Sequence, residues 1–336
     1  MQRRDFLTAT AGAAALGTAA GTVAKAATGA RPYKRIATEE GWTTAGILAA
    51  NARISPTRKT PLITRDGPTA ALAAQLVDID AGRIATMDRD GVDMQLLLVS
   101  APGVQVFSPE EGTALAHDAN DQLAEAIRKH PTRFVGLAAC APQDPQAAVK
   151  EIERGINTLK LNGVVINSHT NNEFLSEQKY WPILEAIEAL DAALYIHPRD
   201  PCAQLSGSDI PYMTGAGWAY GVEVGTHVMH MITAGVFDRF PKLRIVIGHG
   251  GEALPNWMPR LDNRYLSGIR GARPLKRLPS EYILNNIWIT TSGMNYEHQV
   301  QMCIQVMGLE RVMYAIDYPF EKQGEAVELL EGLKLS

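Results

Sequence analysis

Four side chains able to hold a metal or move a proton each close a short apolar run. They are Glu39 after Arg35-Ile36-Ala37-Thr38, His197 after Ala193-Leu194-Tyr195-Ile196, His249 after Arg244-Ile245-Val246-Ile247-Gly248, and Asp317 after Val312-Met313-Tyr314-Ala315-Ile316. Two carboxylates and two imidazoles are the donors of a divalent-metal site. If the runs are parallel strands of one barrel, their carboxyl ends converge on a single face, and residues far apart in the chain share one pocket. A site of this kind with open coordination positions is catalytic, because a structural site fills its positions with protein atoms. The ion can then polarise a bound water or chelate a substrate.

The other candidates group around these four. Glu252, three residues beyond His249, can reach the pocket from the first turn of the next helix or can cap that helix. His169, after the run ending in Asn167, lies on the rim, with a site role and a structural one equally open. His117, His130 and His298 fall in helical stretches and read as surface or capping residues. His227 and His230 share a helix face, but the sequence brings no acid to them. Cys140, Cys202 and Cys303 are too few and too scattered for a disulfide framework or a metal knuckle, and read as buried small hydrophobes.

The elements that must position the four residues follow from periodicity. Beyond the run at Glu39, apolar runs recur at 94–99, 134–139, 163–167, 194–197, 245–248, 287–291 and 313–317. Between them lie segments with three- and four-residue apolar spacing, such as 70–87, 110–128, 146–159 and 180–190. Eight strands alternating with helices predict an α/β fold of the (β/α)8 TIM-barrel type. A doubly wound open sheet is the rival, but it wants a glycine-rich phosphate turn after its first strand, where this chain has Thr38-Glu39-Glu40-Gly41-Trp42. Two long connections, Thr43 to Thr69 and Arg199 to Gly217, fall on the catalytic rim and are candidates for lids or specificity loops. Only Phe320 to Ser336 follows the last strand, which points to a chain clipped at its end or to a bottom end supported by a partner.

Of the 336 residues, 46% are hydrophobic and 20% charged, enough for one large core; with a formal net charge of -4 and dispersed Lys and Arg, neither nucleic acid nor an anionic membrane surface is indicated. Residues 1–26 differ from the rest. Arg3-Arg4-Asp5-Phe6-Leu7 precedes a weakly apolar Ala/Gly/Thr stretch and an Ala24-Lys25-Ala26 cleavage site, the form of a twin-arginine export signal. The stretch is too poor in strongly apolar residues for a lasting membrane anchor. The expected organisation is a signal at 1–26 and a single barrel domain over 27–336, with a periplasmic destination and the cytoplasm as the alternative.

Ile-Ala-Thr-Glu-Glu at 36–40, Ala-Pro-Gln-Asp-Pro at 141–145, Ile-Asn-Ser-His-Thr at 166–170, Tyr-Ile-His-Pro at 195–198, Gly-His-Gly-Gly-Glu-Ala-Leu-Pro at 248–255 and Arg-Val-Met-Tyr-Ala-Ile-Asp-Tyr-Pro at 311–319 together resemble the metal-dependent aromatic decarboxylases of the amidohydrolase superfamily, of the 5-carboxyvanillate and γ-resorcylate kind. The likeness spans about residues 33 to 334. It implies non-oxidative decarboxylation of an ortho-hydroxybenzoate, a small aromatic carboxylate, with one divalent ion, Mn2+ or Zn2+, held by Glu39, His197 and Asp317. It further implies Asp317 as the acid, His249 and Glu252 as its supporting partners, and Arg260, sometimes across a subunit boundary, as a holder of the substrate carboxylate; a helix-surface ion pair is the other reading of Arg260. A homo-oligomer, dimer or tetramer, is expected. The chain departs from the pattern at Gly41, where γ-resorcylate-type relatives carry a histidine, and at Gly67-Pro68-Thr69, where relatives carry an arginine that Arg65 can replace if the loop shifts.

The rival activity on the same barrel is hydrolysis of a lactone or amide by metal-activated water, with Asp317 as general base. Metal hydrolases of that superfamily usually carry His-x-His after the first strand, and Glu39-Glu40-Gly41 lacks it. A non-enzymatic metal-binding protein is the third reading; it predicts loss of the acid or of open positions, and Asp317, His249 and Glu252 are all retained.

Overall fold

Strand periodicity decides which residues face the site. On the strand Ala193–His197, Leu194 and Ile196 pack outward with Val224, Val228 and Ile232 of the covering helix, while Tyr195 joins the interior cluster with Val165 and Val246. The period of two therefore sends Asn167, Tyr195 and His197 inward. The protein, described by a computed structural model, is seen over residues 31–334 apart from 58–61, 209, 212, 214, 269–270 and 272–273. The expected export signal lies outside the described residues. Lys34–Ser336 gathers into one compact unit, and no helix among the described residues is long and apolar enough to cross a membrane.

The strands in chain order are β1 (Ile36–Trp42), β2 (Met94–Val99), β3 (Phe134–Gly136), β4 (Ala138–Ala139), β5 (Gly163–Asn167), β6 (Ala193–His197), β7 (Arg244–Ile247), β8 (Ile287–Thr290) and β9 (Val312–Met313). All pairs are parallel, in a three-stranded ladder β1-β2-β3 and a six-stranded ladder β4 to β9. The third expected strand is interrupted at Leu137, whose N–H bonds back to Leu97 O at 2.9 Å, so β3 and β4 act as one stave. The last stave leaves its ladder after Met313 and closes on β1 through single bonds: Thr38 N–H to Tyr314 O at 3.0 Å, Asp317 N–H to Glu39 O at 3.0 Å and Gly41 N–H to Tyr318 O at 2.7 Å. The result is the (β/α)8 barrel that the alternation predicts.

Helices form where the sequence supplies caps. Pro109–Lys129 starts behind Ser108, whose Oγ accepts the Glu111 N–H at 3.2 Å; Glu110 and Glu111 lie in its first turn and Arg128 and Lys129 in its last, matching the helix dipole. Two expectations change. The helical pattern at 70–87 is two helices, Ala70–Val77 and Ala81–Asp90, because Asp78 Oδ1 takes the Asp80 N–H at 3.0 Å and turns the chain there. The connection from Thr43 to Thr69 is partly helical, Ala45–Ile54, with Thr44 as N-cap. The room after the last strand is filled by one helix, Gln323–Gly332.

Candidate active site

The carboxyl ends of β1, β6 and β7 and the segment following β9 bring Glu39, His197, His249 and Asp317 together. Glu39 is fully buried. Its Oε2 accepts from Thr290 Oγ1 at 2.7 Å and from Ser292 Oγ, whereas its Oε1 has no hydrogen-bond partner. That oxygen lies 3.8 Å from His197 Nε2 and 3.8 Å from His249 Nε2. The ligand atoms of Glu39, His197 and Asp317 all fall within 4.8 Å of one another. A buried anionic oxygen with no donor is costly, and here it points at a second carboxylate and an imidazole. A divalent cation fits that donor set.

The two histidines are prepared differently. His197 Nδ1 lies 3.0 Å from Asn167 Oδ1 and 2.8 Å from Pro198 O, both acceptors, so Nδ1 carries the proton and the Nε2 lone pair faces Glu39. Burial pushes its pKa down to about 4, which keeps the ring neutral as a ligand requires. His249 Nδ1 is 2.7 Å from Glu252 Oε1, and its Nε2 is 3.6 Å from Asp317 Oδ2. Burial acts to lower its pKa, but the charges of Glu39 and Glu252 carry it well above the ordinary histidine value. The Nε2 lone pair of His197 therefore faces Glu39, while His249 is flanked by the carboxylates of Glu252 and Asp317. Burial likewise pushes Asp317 up to about 6, against the opposing pull of His249 beside it. For Glu39, burial is outweighed by His249, His197 and Ser292, which hold it below the usual carboxylate range.

The backbone is bent to reach this arrangement. His249, Glu252 and Asp317 stand at φ of 50°, 50° and 76°, left-handed values that side chains adopt at a cost and that concentrate at functional sites. Gly248 is required by contact, since a Cβ there would sit 2.6 Å from Glu39 Oε1. At Gly41 a Cβ would meet Ser100 Oγ at 2.5 Å and Tyr318 O at 3.3 Å, so this position has no room for a ring.

A cavity of about 260 Å³ opens beside the cluster. His197, His249 and Asp317 form one wall, and Leu62, Ile63, Tyr220 and Phe320 offer apolar surface for a ring. Both rim connections singled out from sequence contribute: Leu62 and Ile63 from the first, Arg199, Asp200 and Ala216 from the second.

The family profile described as amidohydrolase matches residues 62–335. The chain belongs to the amidohydrolase family. A γ-resorcylate decarboxylase from Polaromonas sp. is 33% identical to it over 315 residues, 90% of this chain and 93% of that protein. The crystal structure of 5-carboxyvanillate decarboxylase from Sphingomonas paucimobilis superposes with a TM-score of 0.87 at 43% identity, covering 90% of this chain and 94% of that one. A 5-carboxyvanillate decarboxylase from Novosphingobium aromaticivorans, complexed with manganese and 4-hydroxy-3-methoxy-5-nitrobenzoic acid, superposes with a TM-score of 0.85 at 37% identity over 91% of this chain and 92% of that one. Within its family this amidohydrolase therefore stands with the metal-dependent aromatic-acid decarboxylases.

Not every expected residue reaches the cavity of this amidohydrolase. Glu252 does not cap the helix Leu254–Leu266 but holds His249. Arg65 and Arg260 are exposed and line no part of the cavity. His169 is buried, its Nε2 3.0 Å from Asp200 O and its Nδ1 accepting the Asn172 N–H at 3.2 Å, so it fastens the Arg199 connection. Among the described residues the guanidinium lining the cavity is that of Arg199, 4% exposed, which donates to His169 O at 3.2 Å. His227, buried, has an acid after all: Ser168 Oγ bridges its Nδ1 at 3.1 Å to Glu223 Oε1 at 3.0 Å. The three resemble a catalytic triad, but the Leu175 N–H fills His227 Nε2 at 2.9 Å and the Cys202 N–H fills Glu223 Oε2 at 3.0 Å, so the group is structural. Thr290 and Ser292, which hold Glu39, and Asn167, which holds His197, each lie at or just beyond a strand's carboxyl end, as the four do. As neutral residues they carry no chemical flag in a sequence.

Proposed function

We propose that this amidohydrolase is a manganese-dependent, non-oxidative decarboxylase of an ortho-hydroxybenzoate. The observation that carries the reading is the orphaned, buried Oε1 of Glu39, converging with His197 Nε2 and Asp317 beside an apolar cavity. Two carboxylates and one imidazole make an oxygen-rich donor set, which suits manganese better than zinc. Glu39, His197 and Asp317 would hold the divalent ion, which would supply a docking point for the phenolic oxygen and adjacent carboxylate and would favour the ionised phenolic oxygen whose electrons let a ring carbon take up a proton.

The chain's own groups do the rest. Leu62, Ile63 and Phe320 pack the ring, and Arg199 provides positive charge for an anionic substituent. Asp317, in its protonated form and 3.6 Å from His249, delivers its proton to the ring carbon that bears the carboxylate. The bond from that carbon to the carboxylate breaks, its electron pair restores the aromatic ring, and CO2 leaves. His249, oriented by Glu252, re-protonates Asp317. Arg260, exposed on its helix, is read as serving the cavity of a neighbouring copy in a dimer or tetramer, and residues 1–26 as an export signal cleaved after Ala26, which N-terminal sequencing of the protein from a periplasmic fraction checks.

The test is a CO2-release and ultraviolet-absorbance screen of the purified chain loaded with Mn2+ or Zn2+ against ortho-hydroxybenzoates, including 5-carboxyvanillate and γ-resorcylate, with lactones and amides in parallel. Metal-dependent CO2 release from one hydroxybenzoate is expected. Turnover of lactones or amides alone would replace the reading with hydrolysis.

A further inference from the structure

β1 carries two consecutive glutamates, and neighbouring strand residues face opposite ways. Glu39 and Glu40 are both fully buried, yet only Glu39 points into the metal cluster. β1 pairs with β2 at Ala37 with Gln95 and next at Glu40 with Leu97, so β1 holds one extra residue there, a bulge of the kind that re-aims side chains near active sites. Glu40 turns to the closing seam. Its Oε1 accepts the Ile316 N–H at 3.0 Å and its Oε2 the Tyr318 N–H at 3.0 Å. Those two N–H groups bracket Asp317, whose φ is 76°. No ladder among the described strands pairs β9 with β1; single backbone bonds close the seam, among them Asp317 N–H to Glu39 O, and the Glu40 carboxylate adds the two N–H groups on either side of it. Arg83, 1% exposed, fastens the same seam from behind: it donates to Gly41 O at 2.6 Å and lies 4.9 Å over the Tyr318 ring.

We infer that Glu40 is a positioning residue for Asp317: by gripping the backbone on both sides, it holds the left-handed turn that aims the Asp317 carboxylate at the metal and at His249. The inference rests on the reading of Glu39, His197 and Asp317 as the metal set. A left-handed aspartate persists only where its surroundings over-determine it, and groups that orient ligands are worth about 10- to 100-fold in metal affinity or activity.

The experiment is Mn2+ titration calorimetry on the full chain, alongside steady-state kinetics. Glu40→Gln keeps the shape but sets an NH2 group against one of the two N–H donors. The expected result is an Mn2+ Kd raised about tenfold or more and a kcat lowered about as much at saturating Mn2+, with KM within about threefold. The control is Thr38→Val, which removes the Thr38 Oγ1 bond to Tyr314 O at 2.8 Å on the same seam without touching the bracketing N–H groups, and should leave the Kd within about twofold. A folded Glu40→Gln protein with the wild-type Kd overturns the inference, as does an equal loss in Thr38→Val. If Glu40→Gln does not fold, Glu40→Asp decides by the same criterion, because it keeps both acceptor oxygens but falls one methylene short of both donors. If the wild-type chain takes up no Mn2+, the metal reading itself has failed.

Discussion

His197 and His249 show how one residue type is given two tasks. Each ends an apolar run, and each lies 3.8 Å from the same Glu39 oxygen. The difference comes from their surroundings: burial keeps His197 an uncharged donor of a lone pair, with neutral acceptors at its Nδ1, while the charges of Glu39 and Glu252 hold His249 well above the ordinary histidine value. In the proposed reaction, Asp317, facing His249, is where proton and metal meet. Asp317→Asn keeps a carbonyl oxygen for the metal but has no transferable acid proton; kcat should fall about 10³-fold or more with Mn2+ still bound and the fold intact. Metal analysis and circular dichroism of the variant check this, and undiminished turnover would remove Asp317 from the acid's role. At this scale the charged members of the site were legible because metal and proton chemistry admit few residue types. Asn167, Thr290, Ser292 and Glu40 were not, because their value lies in which atom they face.

At the scale of elements, strand ends supply the reactive groups and the connections supply the cavity. The helix Ala219–Thr233 locks the segment after β5 through His227. Burial, with the nearby His169 and His230, pushes His227 down to about 3, while in the unfolded chain an ordinary histidine titrates near 6.5. Between those values the unfolded state binds a proton that the native state refuses, so stability is full above pH 6.5 and drains as pH falls toward 3, by up to about 1.4 kcal/mol per pH unit. Urea unfolding at pH 7 and pH 5 should show a larger loss for wild type than for His227→Gln; equal losses would show that His227 does not titrate in this window. Element types were largely legible, since burial on one face imposes a period of two or of 3.6. The break at Asp78 and the helix at Ala45–Ile54 were not read, because a turn and a cap are set by single hydrogen bonds, from Asp78 and Thr44, within otherwise helix-compatible sequence.

At the scale of the molecule, the metal cluster joins strands from the first stave to the last, so an ion there should brace the barrel. Removing metal with EDTA should lower Tm, and Mn2+ should restore it. With free Mn2+ a hundredfold above its Kd the expected gain is about 2.7 kcal/mol, read as a shift of several degrees by calorimetry. A Tm indifferent to both treatments would contradict a metal site coupled to the fold.

What the amino-acid sequence determined by itself is the repeated pairing of an apolar run with a reactive terminus, hence the parallel barrel and the chemistry of Glu39, His197, His249 and Asp317. Those are local properties, period and residue type, written within a few positions. Only the tertiary structure decided what surrounds each histidine, that Arg199 rather than Arg65 or Arg260 lines the cavity of this chain, and that Glu40 spans the seam to both sides of Asp317. These depend on closure between segments nearly the whole chain apart and on hydrogen bonds short enough that a bulge of one residue redirects them.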